Sequence, residues 1–311
     1  MSRSPGGKRS WGLIGLLWVT GNMGYSQVQF NVKLKPGRTF ESYLQNPDQR
    51  RLSSNGNIAF LEKAQAIGST QSRLRSNTEN PLAGIYTLTY DLQTAGDIRA
   101  SLLADPDIEW AEPVQTLSLP PNQTETVSDS AAQAALWFHD VIGTDEAWTV
   151  TRGNPDITIG ILDTGLDYDH PEFEGKVAIR PAEDINQNGR FDPWPDSVTI
   201  DGVSGDFNGL DDDANGFPDD VIGYDFTDQP RSPFGGDYLF EDANPLDDND
   251  HGTLVAGIVA ARPDGGGQAY GIAPDCRLAV LRAFAANGAG EDDDIARAIV
   301  YAADNGVDIL N

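Results

Sequence analysis

An aspartate and a histidine, Asp163 and His251, stand 88 positions apart in settings that suit acid–base chemistry. Asp163 follows the apolar run "TIGIL" and precedes Thr164-Gly165, which permit a tight exit from a strand. In an open parallel sheet, ligands gather at the carboxyl ends of the strands, so a carboxylate placed there faces a crevice. His251 heads "HGTLVAGIVAA", an apolar run of helical length. The positive end of a helix dipole disfavours the imidazolium, which keeps a ring able to accept a proton; Asp247, Asp248 and Asp250 push the other way. A plainer reading stands beside this one: Asp163 caps a turn, and His251 is a first-turn residue behind the N-cap Asp250. Gly252 and Gly257 each cost the helix about 1 kcal/mol relative to Ala, so both ask for a packing reason.

A second chemistry is written between these residues. Nineteen acids and two arginines lie from Glu183 to Asp250, a net of −17 out of −27 for the chain. Within that stretch Asp184, Asn186 and Asn188 alternate ahead of Gly189, and Asp211, Asp213 and Asn215 alternate ahead of Gly216. Oxygen side chains at positions 1, 3 and 5 with Gly at 6 match the first half of an EF-hand calcium loop. Neither loop has Glu at position twelve, where Pro195 and Ile222 stand, but Asp192, Asp219 and Asp220 could supply later ligands in a shorter loop. Structural Ca²⁺ is therefore expected, with a solvated acidic loop as the alternative.

The elements that must hold these groups follow from periodicity. "DITIGIL" (156–162), "VIGYDF" (221–226), "RLAVLRA" (277–283) and "VDILN" (307–311) read as strands. Helices from His251 and from residues 291–294 lie between them, the second with acids suited to its dipole and Gly306 as its C-cap. Strands alternating with helices imply an α/β fold, a parallel sheet with helices on both faces. Ahead of it, strands at 28–34, 84–90 and 108–112 and helices near 57–67 and 97–103 predict a small α+β domain close to ferredoxin-like. Residues 113–130 are rich in Pro, Ser and Thr and read as a linker. Arg3, Lys8 and Arg9, then the apolar 11–19 and Gly24-Tyr25-Ser26, have the make-up of an export signal. Nine apolar residues are too few to span a bilayer, which takes about 20.

Composition narrows the partners. A net charge of −27 argues against nucleic acid, whose phosphates need a basic face. It fits a secreted protein whose bound cations offset the deficit. The single Cys276 rules out an intrachain disulfide framework and sits in an apolar run, as a small core residue would.

"GILDTGLDYDHPEF" and "DNDHGTLVAGIVAA" resemble the aspartate and histidine motifs of the subtilisin-like serine proteases, the subtilases, and "GIAPDCRLAVLRAF" and "DIARAIVYAADNGVDILN" resemble the segments that follow. The resemblance implies an Asp–His–Ser endopeptidase working through an acyl-enzyme on protein or peptide substrates. In it Asp163 orients the ring and His251 moves the proton. The family's Gly-Thr-Ser nucleophile segment and its oxyanion asparagine do not occur, and Ser197, Ser204 and Ser232 lie in unsuitable loops. The simplest account is truncation, leaving these residues inactive. "SLLADPDIEWAEP" is similar to the end of a subtilase propeptide. The implied organisation is a signal (1–26), a propeptide acting as intramolecular inhibitor (27–118), a maturation linker (119–130), and the first part of a subtilisin-like catalytic domain (131–311) with an acidic insert (183–250). No membrane partner is expected. Two rivals remain: a non-catalytic, calcium-binding extracellular module on the same scaffold, and a metallohydrolase, disfavoured because His139 and His170 lack metal spacing with His251.

Overall fold

The computed structural model describes residues 27–38, 61–66, 85–91, 98–120, 137–228, 236–237, 240–262 and 270–311. The expected signal and most of the expected linker lie outside them. The first described unit is a four-stranded antiparallel sheet of β1 (Gln27–Leu34), β2 (Leu61–Ala66), β3 (Ile85–Asp91) and β4 (Ile108–Pro113) in the order β2-β3-β1-β4. That is the order of a ferredoxin-like sheet. Helix α1 (Ile98–Leu103) precedes β4, and Leu102 is buried in the core with Val32, Leu34, Leu88 and Ile108.

One element differs from expectation. Residues 61–66, read as the end of a helix, form an edge strand paired with β3 from Leu61↔Tyr90 to Ala66↔Tyr86. "LEKAQA" is built of helix formers. Its propensity is overridden because pairing with β3 gives it a ladder of inter-strand backbone hydrogen bonds.

The second sheet has the order β12-β6-β10-β9, formed by β6 (Thr158–Asp163), β9 (Gly223–Asp225), β10 (Arg277–Arg282) and β12 (Ile309–Leu310), and all its pairings are parallel. Alternate residues of the strands feed two clusters. Ile159, Ile161, Leu278 and Val280 pack with Ala256 and Ala260 of α4 (His251–Ala260). Leu162, Leu281 and Ala283 pack with Ala298, Tyr301 and Ala302 of α5 (Asp292–Asp304). Cys276 is buried in the first cluster, as its apolar setting implied. Two short helices, α2 (Trp137–Ile142) and α3 (Thr144–Trp148), precede the sheet.

Among its described residues the acidic stretch carries, as regular strands, only the hairpin of β7 (Thr199–Ile200) and β8 (Val203–Ser204) and the short β9. Part of the expected linker is ordered: β5 (Thr116–Ser118) pairs antiparallel with β11 (Ala289–Glu291) in the register Gly290↔Leu117. Among the described residues no helix is long and apolar enough to cross a membrane.

Candidate functional site

β6 delivers Asp163 to its carboxyl end, and α4 begins opposite it with His251. The two side chains meet, with His251 Nδ1 2.7 Å from Asp163 Oδ1. Asp163 is 5% exposed, and the same oxygen accepts the Thr164 amide at 2.8 Å. The Asp163 carbonyl accepts the amides of Ala283 and Phe284, which ties the strand exit to the end of β10. A carboxylate can only accept, so the contact places the proton on Nδ1 and leaves Nε2 as the basic nitrogen.

The close approach depends on Gly252. A methyl at its Cα would lie 2.2 Å from the Gly165 carbonyl oxygen and 3.2 Å from Asp163 Cβ, so only glycine lets α4 seat against the exit of β6. Gly165 itself has φ +112°, a conformation that favours glycine. At Gly257, by contrast, a methyl on the Cα would meet nothing within 4 Å, and no packing reason for this glycine exists among the described residues.

Asp250 occupies the N-cap position, but its φ is +78° and its side chain makes no capping bond. Asp247 does that work. Its Oδ2 accepts the Thr253 amide (2.9 Å) and hydroxyl (2.6 Å), and its Oδ1 accepts the amides of Asn249 and Asp250 and the Thr164 hydroxyl. Thr164 Oγ1 in turn accepts the Gly252 amide at 2.9 Å. Burial acts to raise the Asp247 pKa, but hydrogen bonds from Thr253, Asn249 and Thr164 outweigh it and hold the group below the usual carboxylate range. Sequence reasoning assigned the cap to Asp250 because it adjoins the helix; a cap reaching across four residues leaves no such signature.

Beneath this pair Arg282, 1% exposed, gathers the preceding loop. Its Nη1 donates to Leu246 O at 2.6 Å, Nη2 reaches Asp248 Oδ1 at 3.1 Å and the Asp237 carbonyl, and Nε lies 3.2 Å from Asp225 Oδ2. The other two histidines stand apart from the pair. His139 is buried with Nε2 3.2 Å from the Tyr270 carbonyl, and His170 Nδ1 accepts the Glu172 amide.

The two acidic loops share one turn. Asp184 accepts the amides of Asn188 and Gly189, and Asp211 accepts those of Asn215 and Gly216. In each the fourth residue is left-handed, Gln187 at φ 56° and Ala214 at φ 59°. In the first loop Asn186 and Asn188 both donate to Asp192 Oδ2, at 2.9 and 2.6 Å, so three of the four expected ligands meet, while Asp184 takes the backbone amides of the turn. Half a turn of either amide would present its oxygen there instead.

The second loop divides. Asp211 and Asp213 converge on the Asn215 amide, while Asp219 turns away to the amides of Asn208 and Gly209. Asp220 faces Arg180 (3.3 Å from Nε), Asn215 and the Tyr301 hydroxyl. Glu183, overlooked in the sequence, is fully buried and accepts the amides of Asp213 and Asp219. Burial, reinforced by Asp220 and Asp213, pushes it up to about 7, and burial lifts Asp220 to about 6 despite Arg180.

Among the described residues, carboxylates close enough to share a cation form three groups: Glu183/Asp213/Asp220, Asp225/Asp237/Asp242 and Asp228/Glu291/Asp294. Arg180 pairs with the first and Arg282 with the second.

The subtilase family profile matches residues 154–311. The thermophilic serine proteinase of Bacillus sp. (strain AK1) is 30% identical over 225 residues, 71% of this chain and 41% of that protein. The halolysin-like extracellular serine protease Nep of Natrialba magadii is 26% identical over 264 residues, 82% of this chain and 39% of that one. The chain thus spans about two fifths of the length of these curated relatives. The solved structure of the epidermin leader peptide processing serine protease of Staphylococcus aureus superposes with a TM-score of 0.49 at 13% identity, over 92% of this chain and 49% of that chain. The matched region takes in β6, the helix headed by His251 and the strands around them, and it exceeds half the residues: this chain belongs to the subtilase family.

Proposed function

We propose that this chain serves a secreted serine endopeptidase in which Asp163 orients His251 and His251 carries the proton to and from a serine hydroxyl. The observation that carries this reading is the 2.7 Å contact between His251 Nδ1 and Asp163 Oδ1 at the carboxyl end of a parallel strand. With Nδ1–H held by the carboxylate, Nε2 is presented to take a proton as the hydroxyl attacks a peptide carbonyl and to return it to the leaving amine. Asp163 then stabilises the imidazolium formed between those steps. The family's Gly-Thr-Ser segment does not occur in residues 1–311, so these residues alone are expected to be inactive.

In the same reading residues 27–118 are a propeptide that inhibits its own protease domain, whose sheet carries helices on both faces. The antiparallel pairing of β5 with β11, a short strand of the second unit, supports it, since strand pairing through main-chain hydrogen bonds is a common mode of peptide binding. So do two bonds between the modules, Asn31 Nδ2 to Asp292 Oδ1 and Thr87 Oγ1 to Asp293 Oδ2. The extracellular setting of the Nep relative agrees with the signal-like residues 1–26. Calcium in the loops at 184–192 and 211–220 completes the proposal. The convergent Asn186, Asn188 and Asp192, with Asp184 opening the same turn, fit a hard cation, and Asp211, Asp213 and Asn215 fit it in part.

The test uses a longer chain that carries the Gly-Thr-Ser segment. It should hydrolyse casein and react with a fluorophosphonate, His251→Ala should abolish both, and Asp163→Asn should lower kcat by about 10⁴-fold, as loss of the orienting carboxylate does in such triads. An unaltered longer chain that neither cleaves nor labels overturns the reading.

A further inference from the structure

Among the described residues, one of the three carboxylate groups stands at the start of α5. Asp228, Glu291 and Asp294 are 8%, 3% and 1% exposed, and their oxygens lie within 4.8 Å of one another. Arg297 gives its ion pair to Glu241, and its charge also acts on Asp294 and Asp228. Both carboxylate oxygens of Asp294 are buried without a hydrogen-bond partner, and one of them lies within 4.8 Å of an oxygen of Asp228 and an oxygen of Glu291. Asp294 is the third residue of α5, from which a side chain can reach back to cap the helix, yet it does not. The helix dipole favours an anion in this turn but offsets only a fraction of the cost of burying one, and here three share a dry space.

We propose that Asp228, Glu291 and Asp294 form a binding site for a divalent cation of the calcium type. The donors are all carboxylate oxygens, with no histidine or thiol, which selects a hard cation over zinc or copper. Within so buried a pocket, Ca²⁺, which sheds water more readily than Mg²⁺, is the better fit. The ion ties the loop after β9 to the end of β11 and the first turn of α5. It therefore braces the short strand with which β5 pairs, next to Asp292 and Asp293, which receive the bonds from Asn31 and Thr87. None of its ligands belongs to the loops at 184–192 and 211–220, and the site stands independently of the protease reading.

Equilibrium dialysis of the 311-residue chain against radioactive Ca²⁺ tests it. Asp294→Asn and Asp228→Asn should each bind one ion fewer than the unaltered chain, or bind it at least tenfold more weakly. Asp184→Asn combined with Asp211→Asn should keep that ion. If Asp294→Asn binds as many ions with the same affinity, or if the loop variant loses all bound calcium, the site does not exist. Circular dichroism checks that the variants fold. Should neither do so, crystals of the unaltered chain soaked in gadolinium decide by anomalous scattering: a peak among the three carboxylates supports the site, and none overturns it.

Discussion

Gly252 and Gly257 share one helix and one residue type, yet replacing each by alanine should move stability in opposite directions. At Gly252 the added methyl meets the Gly165 carbonyl oxygen at 2.2 Å, the Gly165 nitrogen at 3.0 Å and Asp163 Cβ at 3.2 Å. Relief requires backbone at the exit of β6 to move by about 1 Å, because comfortable contacts begin near 3.5 Å. Overpacking of this kind costs about 1–3 kcal/mol. Alanine returns about 1 kcal/mol of helix propensity. The difference spans about 0–2 kcal/mol, and the upper half, about 1–2 kcal/mol, applies because the obstructing atoms are backbone. At Gly257 the methyl meets nothing, so only the propensity gain of about 0.5–1 kcal/mol remains.

Thermal unfolding of the 311-residue chain, followed by circular dichroism, reads both variants. At about 2–4 °C per kcal/mol, Gly252→Ala should lower Tm by about 2–8 °C and Gly257→Ala should raise it by about 1–4 °C. Shifts of the same sign, or a Gly252→Ala chain as stable as the original, would refute the idea that α4 seats on the strand exit through this glycine.

The cap assignment predicts that Asp247→Ala destabilises by about 1–2 kcal/mol, whereas Asp250→Gly is neutral or stabilising by up to about 1 kcal/mol because its φ is +78°; urea midpoints compare the two. Arg282→Met leaves Asp225 buried without its ion pair and should cost about 3–5 kcal/mol by chemical denaturation, while a cost under about 1 kcal/mol would show the pair to be dispensable. Burial lifts the Asp225 pKa to about 7 against Arg282 and the bonds from Thr227. Its unfolded carboxyl titrates near 4, so the folded state alone holds the proton between about pH 4 and 7, and stability falls as pH rises through that window. With calcium chelated, the urea midpoint should be lower at pH 8 than at pH 5; an equal or higher value at pH 8 would contradict this.

Local sequence was enough for whatever rests on local pattern. The apolar runs at 158–163 and 277–282 announced parallel strands, and the positions of Asp163 at a strand end and His251 at a helix start announced an encounter, since strand ends and helix starts meet on one side of such a sheet. The shared turn of the two acidic loops was legible from alternating oxygen side chains before glycine.

Features built from distant residues were not legible. The strand at 61–66 is decided by its pairing with β3, which outweighs a helix-forming composition. The use of residues 116–118 as a strand exists only because β11 offers a partner. Glu183 joining Asp213, Asp294 joining Asp228, and Arg282 holding the loop before His251 are encounters across 30 to 66 positions that no spacing rule encodes. Burial decides the chemistry of these groups: the same carboxylate that is an ordinary solvated acid in the chain becomes, once enclosed, a group that must find a proton, an arginine or a cation.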